Sequence, residues 1–593
     1  MKLKFLFAFL LSFFIVIYSA SEVNAFCGFF VAKADTRISN SSSRVVIARE
    51  GNRSVFMMAN DYQGDVKDFA RIVPIPVIPT RDRVSIGNPE ILDRLESFTA
   101  PRLVQYVDDT DRFWKQEWYA YARWIAAIFV IILLIATIIW GLKNPDDTIR
   151  TRVIELCVVT ITIGILTAIA LPSFLNQAAK SREGINFGQN SAGNVTVEDR
   201  FTLGEYEITL LSAEESDGLI DWLISNDYQV PDAARSMFRD YIENDMKFFV
   251  VRVNLEAFQK EGYGLLRPIV LDYESPKFML PIRLGTLNAS GDQDLIIHVL
   301  SPDRFAEVTN YRTTFIPSDT TSRIRHPSGE ELPAFVRGEF GDFYEAMFQN
   351  AYEEEGKNVA FLEYAGSLEL DVNGLGKCDP CTIPPEDLIR LQELLKAEEL
   401  ERFTSVTRLH VRYSQATFPE DLTFEEISAA DLLEKVKNAG KYFYNRADVI
   451  FQGRYVIRRP ENDDFALAKW RYRTRWDDRW AKNLAELTGW QVDTIHQKMA
   501  ADRKNVDRAL KQYRRGKKFA NSGKWEAALA EYNGAIEIDP GNAGIWFDRG
   551  LALLELDRPM EALNAFDRTV ALNGNHWEAM VYGRELRQGL QGE

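Results

Sequence analysis

The chain is short of the residues that build most catalytic and metal centres. Its 593 residues hold 4 cysteines and 5 histidines. His298, His326, His410, His496 and His576 fall in no H-E-x-x-H or Cys/His ligand spacing, so the histidines offer no metal site and the sequence calls for no cofactor. Ser328, in the loop-like His326-Pro327-Ser328-Gly329, lacks the G-x-S-x-G setting of a hydrolase nucleophile. Positive charge is outnumbered, with 70 Lys and Arg against 86 Asp and Glu and a net charge of −16. No Lys/Arg-rich tract offsets it, which excludes nucleic acid as a partner, because phosphate neutralisation needs a basic surface. The length excludes a single ordinary core and implies several.

Long apolar runs are confined to the first third of the chain. Residues 1–25 read as a signal peptide: Lys2 and Lys4, an apolar stretch over 5–18, and the small-residue cleavage site Val23-Asn24-Ala25. Residues 124–142 are uncharged and almost wholly apolar, enough for a helix of about 28 Å. Trp124 and Trp140 stand near the two ends of that run. A second run, 153–175, carries one charge, Glu155, near its start, where a carboxylate reaches the interface. Lys143, Arg150 and Arg152 between the runs mark a cytoplasmic loop. These patterns predict a transmembrane hairpin within 111–182 and a two-pass plasma-membrane protein with 26–123 and 176–593 extracytoplasmic. Residues 153–178 also resemble the N-terminal helix of type IV pilins. The resemblance implies that Glu155 pairs with a neighbouring subunit, that Pro172 kinks the helix, and that the chain is an accessory part of a pilus-like assembly. Arg150 and Thr151 depart from that pattern, standing where the processing glycine and first aromatic residue belong.

The rest reads as mixed strands and helices. Residues 43–49 and 54–58 are β-branched or apolar runs around a Glu50-Gly51-Asn52 turn. Residues 247–255, 277–284 and 294–300 read as further strands, with both faces of the first partly apolar, as in a strand covered on two sides. Helices are expected over 231–243, 388–400 and 431–438. The irregular alternation predicts an α+β body with a mixed, largely antiparallel sheet. Within it, Cys378-Asp379-Pro380-Cys381 is the strongest chemical motif, open to a structural disulfide, a redox pair or a metal. Asn60, Asp61 and Asp65 form either a turn or a cation site. Arg408, His410 and Arg412 share one strand face, as an anion-binding stripe or a solvated surface. Trp470, Trp476, Trp480 and Trp490 crowd a charged helical stretch that either packs on the body or binds a glycan or protein.

Several strings carry a family resemblance. Phe26-Cys27-Gly28-Phe29-Phe30, Met58-Ala59-Asn60-Asp61-Tyr62, Glu274-Ser275-Pro276-Lys277-Phe278, Glu339-Phe340-Gly341-Asp342-Phe343 and Thr407-Arg408-Leu409-His410-Val411 resemble the domain-of-unknown-function family number 2330. The likeness covers roughly 26–106 and 201–499. It implies a secreted or membrane-bound bacterial envelope protein, and no activity comes with it. The family domain is thus expected in two parts, 26–110 and 199–500.

Residues 509–576 repeat every 34 positions. Gly516 pairs with Gly550, Ala528 with Ala562, Leu529 with Leu563, and Tyr532 with Phe566, which is the tetratricopeptide (TPR) period. The prediction is an all-α solenoid over 509–593, closed by a capping helix from 577. Tyr513, Phe519, Tyr532, Trp546, Phe547 and Phe566 are the candidate partner-binding aromatics. With so few repeats, docking onto residues 501–508 or onto the body is expected. The whole reads as a membrane-anchored extracytoplasmic scaffold or adaptor that binds a protein through its repeats. Thiol–disulfide exchange at Cys378 and Cys381 and the pilus-like role are the alternatives.

Overall fold

A computed structural model describes residues 29–32, 42–60, 69–108, 195–226, 228, 230–253, 266–289, 291–319, 330–367, 405–440, 449–460, 474–572 and 576–591. The first part of the body holds β1 (Phe29–Ala32), β2 (Ser42–Glu50), β3 (Arg53–Asn60), β4 (Phe69–Ile75), β5 (Val84–Ile86), α1 (Glu90–Thr99) and β6 (Arg102–Asp108). The second part opens with β7 (Thr196–Leu203), β8 (Tyr206–Ser212), α2 (Ser216–Ser225), α3 (Ala234–Glu243), β9 (Lys247–Val253), β10 (Leu266–Glu274) and β11 (Met279–Leu280). It continues through β12 (Gln293–Ser301), β13 (Phe305–Val308), β14 (Arg312–Phe315), α4 (Phe340–Glu354), β15 (Val359–Ser367) and β16 (Ser405–Tyr413). It ends with β17 (Leu422–Ile427), α5 (Ala429–Asn438), β18 (Val449–Gln452) and β19 (Arg454–Pro460). The remainder is helical: α6 (Thr474–Thr488), α7 (Val492–Ala520), α8 (Trp525–Ile538), α9 (Ala543–Glu555), α10 (Pro559–Leu572) and α11 (Trp577–Gln591).

Two large sheets dominate the body, beside a three-stranded sheet, β11-β17-β13, and the two-stranded β19-β6. One has five strands in the order β1-β4-β9-β8-β7. The other has nine, β14-β15-β16-β12-β2-β3-β10-β5 with β18 on β15. Pairing is antiparallel except at β12–β2, β14–β15 and β19–β6, so the mixed, largely antiparallel sheet is found. The two parts of the body are interleaved: β4 pairs with β9, β2 with β12, and β6 with β19. The β2–β3 turn is the Gly51-Asn52 pair, with Gly51 at φ 59°, where glycine has no steric penalty.

Alternation along the strands sets the layers. Val45, Ile47, Phe56 and Met58 enter a central core that also takes Phe249 and Val251 from the five-stranded sheet and Phe343, Met347 and Phe348 from α4. The intervening Val46, Ala48 and Met57 face α1 through Ile91, Leu92 and Leu95. Phe248 and Val250 meet α2 and α3 through Leu219, Leu223, Met237 and Phe238. The strand read over 247–255 is therefore covered on both faces, as its double apolar pattern required.

Two expectations are corrected. Residues 277–284 make only the two-residue β11 followed by a 3-10 turn. Pro281 has no N–H to extend the ladder, and the N–H groups of Ile282 and Arg283 donate instead to Asp421 Oδ1, at 2.9 and 3.0 Å. The fold class is also corrected: it is an α+β body with C-terminal helices, and the two transmembrane helices are not part of it. No helix among the described residues is long and apolar enough to cross a membrane. The runs at 124–142 and 153–175, with Glu155 and Pro172, lie outside those residues, as do residues 1–25 and the helix read over 388–400.

The repeats fold as their period demands. A Cβ on Gly516 would stand 2.5 Å from Tyr532 Cε1, and one on Gly550 would stand 2.5 Å from Phe566 Cε1. Each glycine is the notch that lets the paired aromatic sink between two helices. Gly550→Ala should lower stability by about 1–3 kcal/mol through overpacking. Gly583→Ala, whose nearest neighbour would be 3.6 Å away, should be neutral or gain up to ~1 kcal/mol of helix propensity. Urea denaturation of the two variants checks the contrast.

Candidate functional site

The Arg408, His410 and Arg412 face is neither solvated nor open to an anion. All three lie on β16 as read, but Arg408 is 4 % exposed and His410 is 9 % exposed at the side chain. The cause is a feature of the neighbouring strand. Leu362 of β15 sits opposite Leu409 and Tyr364 sits opposite Arg408, so Glu363 is the extra residue of a β-bulge. A bulge re-aims the side chain it carries. Here it puts a fully buried carboxylate among the β16 cations.

Glu363 is held from three sides. Arg408 Nε donates to its Oε2 at 2.5 Å, His410 Nδ1 lies 2.8 Å from its Oε1, and the Tyr344 hydroxyl donates to Oε1. The ladder then runs both ways. Arg408 donates from both terminal nitrogens to Glu96 of α1, at 2.6 and 2.8 Å. His410 Nε2 lies 3.2 Å from Asp294 Oδ1, and Arg412 clasps the same carboxylate at 2.7 and 2.8 Å. The Phe348 ring stacks on His410 with centroids 3.8 Å apart and shuts out water on that side. With His410 protonated, Arg408, Arg412 and His410 balance Glu96, Glu363 and Asp294.

The electrostatics follow this pairing. Burial alone would raise the Glu363 carboxyl, but Arg408 and His410 outweigh it and hold it at about 2. Burial opposes charge on His410 as well, yet Glu363 and Asp294 raise its pKa above the ordinary value. His298 is the counter-case. Fully buried and near Arg408, it falls to about 3 and is neutral. Its Nε2 is 2.9 Å from Thr99 Oγ1, while its Nδ1 has no partner among the described residues.

The repeats offer the second candidate surface. Tyr513, Tyr532 and Phe566 are buried between helices, whereas Phe519, Trp546 and Phe547 are half-buried. The Tyr513 hydroxyl donates to Asp548 Oδ2 at 2.7 Å, and Lys517 Nζ lies 3.4 Å from the same oxygen. Phe547, Leu551 and Leu554, at i, i+4 and i+7 on α9, form a half-exposed apolar strip. It continues onto α11 through Tyr582, whose ring is 6.2 Å from that of Phe547, and the exposed Val581.

The side of α7 turned away from the Tyr513 contact with α9 carries a basic face that overturns the expectation of no basic tract. Lys504, Arg508, Lys511, Arg515 and Lys518 are spaced 4, 3, 4, 3 along α7, and all are exposed. That spacing keeps them on one side of the helix over about 21 Å. Arg515 pairs with Glu531; the other four have no carboxylate partner among the described residues. The chain's overall −16 conceals this local excess.

α7 itself joins body and repeats. Ile495 and Met499 at its start belong to the central core, and Val506, Leu510 and Tyr513 belong to the repeat core. Arg459 of β19 reaches across to both oxygens of Asp539, 2.6 Å each, and Gln105 Nε2 donates to the Gly541 carbonyl at 3.0 Å. The expected docking is thus present. Of the tryptophans, Trp480 is buried and Trp490 packs against the central core, with Lys498 Nζ 5.1 Å above its ring. Asn60 ends β3, while Asp61, Asp65, His326, Ser328, Trp470, Cys378 and Cys381 lie outside the described residues.

Residues 21–425 match a family described as an uncharacterized protein conserved in bacteria, DUF2330. The chain belongs to this family. Residues 516–557 match a TPR repeat, so the C-terminal helices are a protein-interaction module. The chain is also 38 % identical over 68 residues to the uncharacterized protein MJ0572 of Methanocaldococcus jannaschii, covering 12 % of this chain and 79 % of that protein. A solved structure, the second TPR of Spaghetti (RPAP3) bound to the HSP90 peptide SRMEEVD, is similar at 27 % identity. It covers 15 % of this chain and 82 % of its own, with a TM-score of 0.15. The family match stops at 425, short of β18 and β19, whereas the resemblance in the sequence extends to about 499.

Two outcomes are expected of the ladder. Glu363→Gln leaves buried cations uncompensated and should cost about 3–5 kcal/mol in denaturant unfolding. Stability should also peak near neutral pH. The raised His410 contributes stability below its unfolded value of 6.5 and loses it as pH rises through its folded value. The lowered His298 contributes above 6.5 and loses stability as pH falls towards about 3. Unfolding free energies across pH, compared with those of His298→Gln, read this; an acid limb unchanged in the variant would refute the assignment.

Proposed function

We propose that the chain is an extracytoplasmic adaptor in which the family body is a rigid mount and the repeats recruit a protein partner. The observation that carries this reading is α7, one helix with its first turns in the body core and its last turns in the repeat core. A tail serving only stability would need no such fixed bearing. The exposed surface suggests the partner's chemistry. The apolar strip of Phe547, Leu551, Leu554, Val581 and Tyr582 fits apolar side chains, and the separate basic face of α7 fits acidic ones. The extracytoplasmic placement rests on the signal-like residues 1–25. No described residue favours thiol–disulfide exchange at Cys378 and Cys381 or a pilus-like role for Glu155.

The test is capture of crosslinked partners by the full chain. Leu551→Glu with Val581→Glu should remove a partner that the native chain retains. Lys504→Glu, Arg508→Glu and Lys511→Glu combined should weaken its capture and abolish its salt sensitivity. Thermal melts of both variants should match the native chain. The same partners recovered by all three chains would move the recruiting surface off the repeats.

A further inference from the structure

The contact between body and repeats is built from arginines, and it holds more positive charge than it neutralises. Arg459 spends its Nη1 on Asp539, and its Nη2 lies 4.0 Å from Asp502 of α7. Arg337, from the 3-10 turn Ala334–Glu339 of the body, lies over Gly541 of the repeats. A Cβ on Gly541 would stand 2.9 Å from Arg337 Cδ, 3.3 Å from Arg337 Nε and 3.3 Å from Arg459 Nη2. Two guanidinium side chains therefore crowd one spot that only glycine leaves open.

Arg337 has no carboxylate of its own. It makes no hydrogen bond or ion pair among the described residues, and its buried Nε is unsatisfied. Arg568, exposed on α10, adds a third cation. Burial, then Arg459, then Arg568 depress Arg337 to about 10, against the pull of Asp539. Asp539 is already clasped by Arg459. Like charges brought together from three elements repel, so this arrangement works against the docking it sits in unless an anion joins it.

We propose that the junction of body and repeats binds a small oxyanion of the phosphate class, held by the guanidinium groups of Arg337 and Arg568 with Arg459 beside them. Guanidinium forks match the oxygens of such an anion, and the convergence of several suits a doubly charged one better than a single carboxylate. Because Arg337 belongs to the body and Arg568 to the repeats, a bound anion ties the two together. Its occupancy then sets how firmly the repeat surface is held.

The probe is inorganic phosphate, added to the full chain against chloride at equal ionic strength. The melting temperature of the native chain should rise with phosphate and saturate. Arg337→Met should melt no lower than the native chain without phosphate, because a repelled cation is gone, and should lose the phosphate-dependent rise. Arg568→Met, at an exposed helical position, should fold normally and lose most of the rise, so the site stays testable if Arg337→Met folds poorly. No rise in the native chain, or an equal rise in Arg568→Met, would overturn the proposal.

Discussion

The body depends on one buried carboxylate. Glu363 has no exposure, yet it is ionised, because Arg408, His410 and Tyr344 converge on it. Desolvating a carboxylate costs several kcal/mol unless such partners are fixed in place. The fixing is done by topology. β15, β16 and β12 bring the charges into register, α1 supplies Glu96, and α4 lays Phe348 over His410. The network therefore specifies which strands pair and at which register. A slip of one residue would turn Glu363 and Arg408 to opposite faces. Charge here selects the fold more than it adds to its stability.

The same device recurs at lower stringency where the repeats meet the body. Arg458 pairs with Glu331 in full burial, and its neighbour Arg459 reaches outward to Asp539. Adjacent strand residues point to opposite faces, so β19 sends one arginine into the body and the next to the repeats. The body ladder closes with balanced charge. The junction does not, since Arg337 is left over. One interface is thus self-sufficient and the other responds to solution composition.

Much of the fold was legible because it depends on period. The strands at 43–49, 54–58, 247–255 and 294–300, the helices at 231–243 and 431–438, and the 34-residue repeat all announce themselves by spacing. What spacing cannot show is which partner a residue meets. Arg408, His410 and Arg412 were visible as a stripe, but Glu363 enters it only through a bulge, defined by the opposite strand. Residues 277–284 failed for a related reason: their alternation suits a strand, yet Pro281 and the distant Asp421 divert the backbone. The basic face of α7 was hidden by averaging over a chain of net −16. Its 4, 3, 4, 3 spacing was available and would have revealed it.

The repeats explain why a small module needs this mounting. Two repeats and a cap bury few residues between neighbours, and such stacks are stabilised chiefly by nearest-neighbour contacts. Extending the first repeat helix back into the body core adds Ile495 and Met499 to that account, so the body acts as the missing neighbour. The arrangement has a geometric consequence. A continuous α7 fixes the direction of the apolar strip and the basic face relative to both sheets, which a flexible linker would leave free. A partner bound there is therefore presented to the body in one orientation.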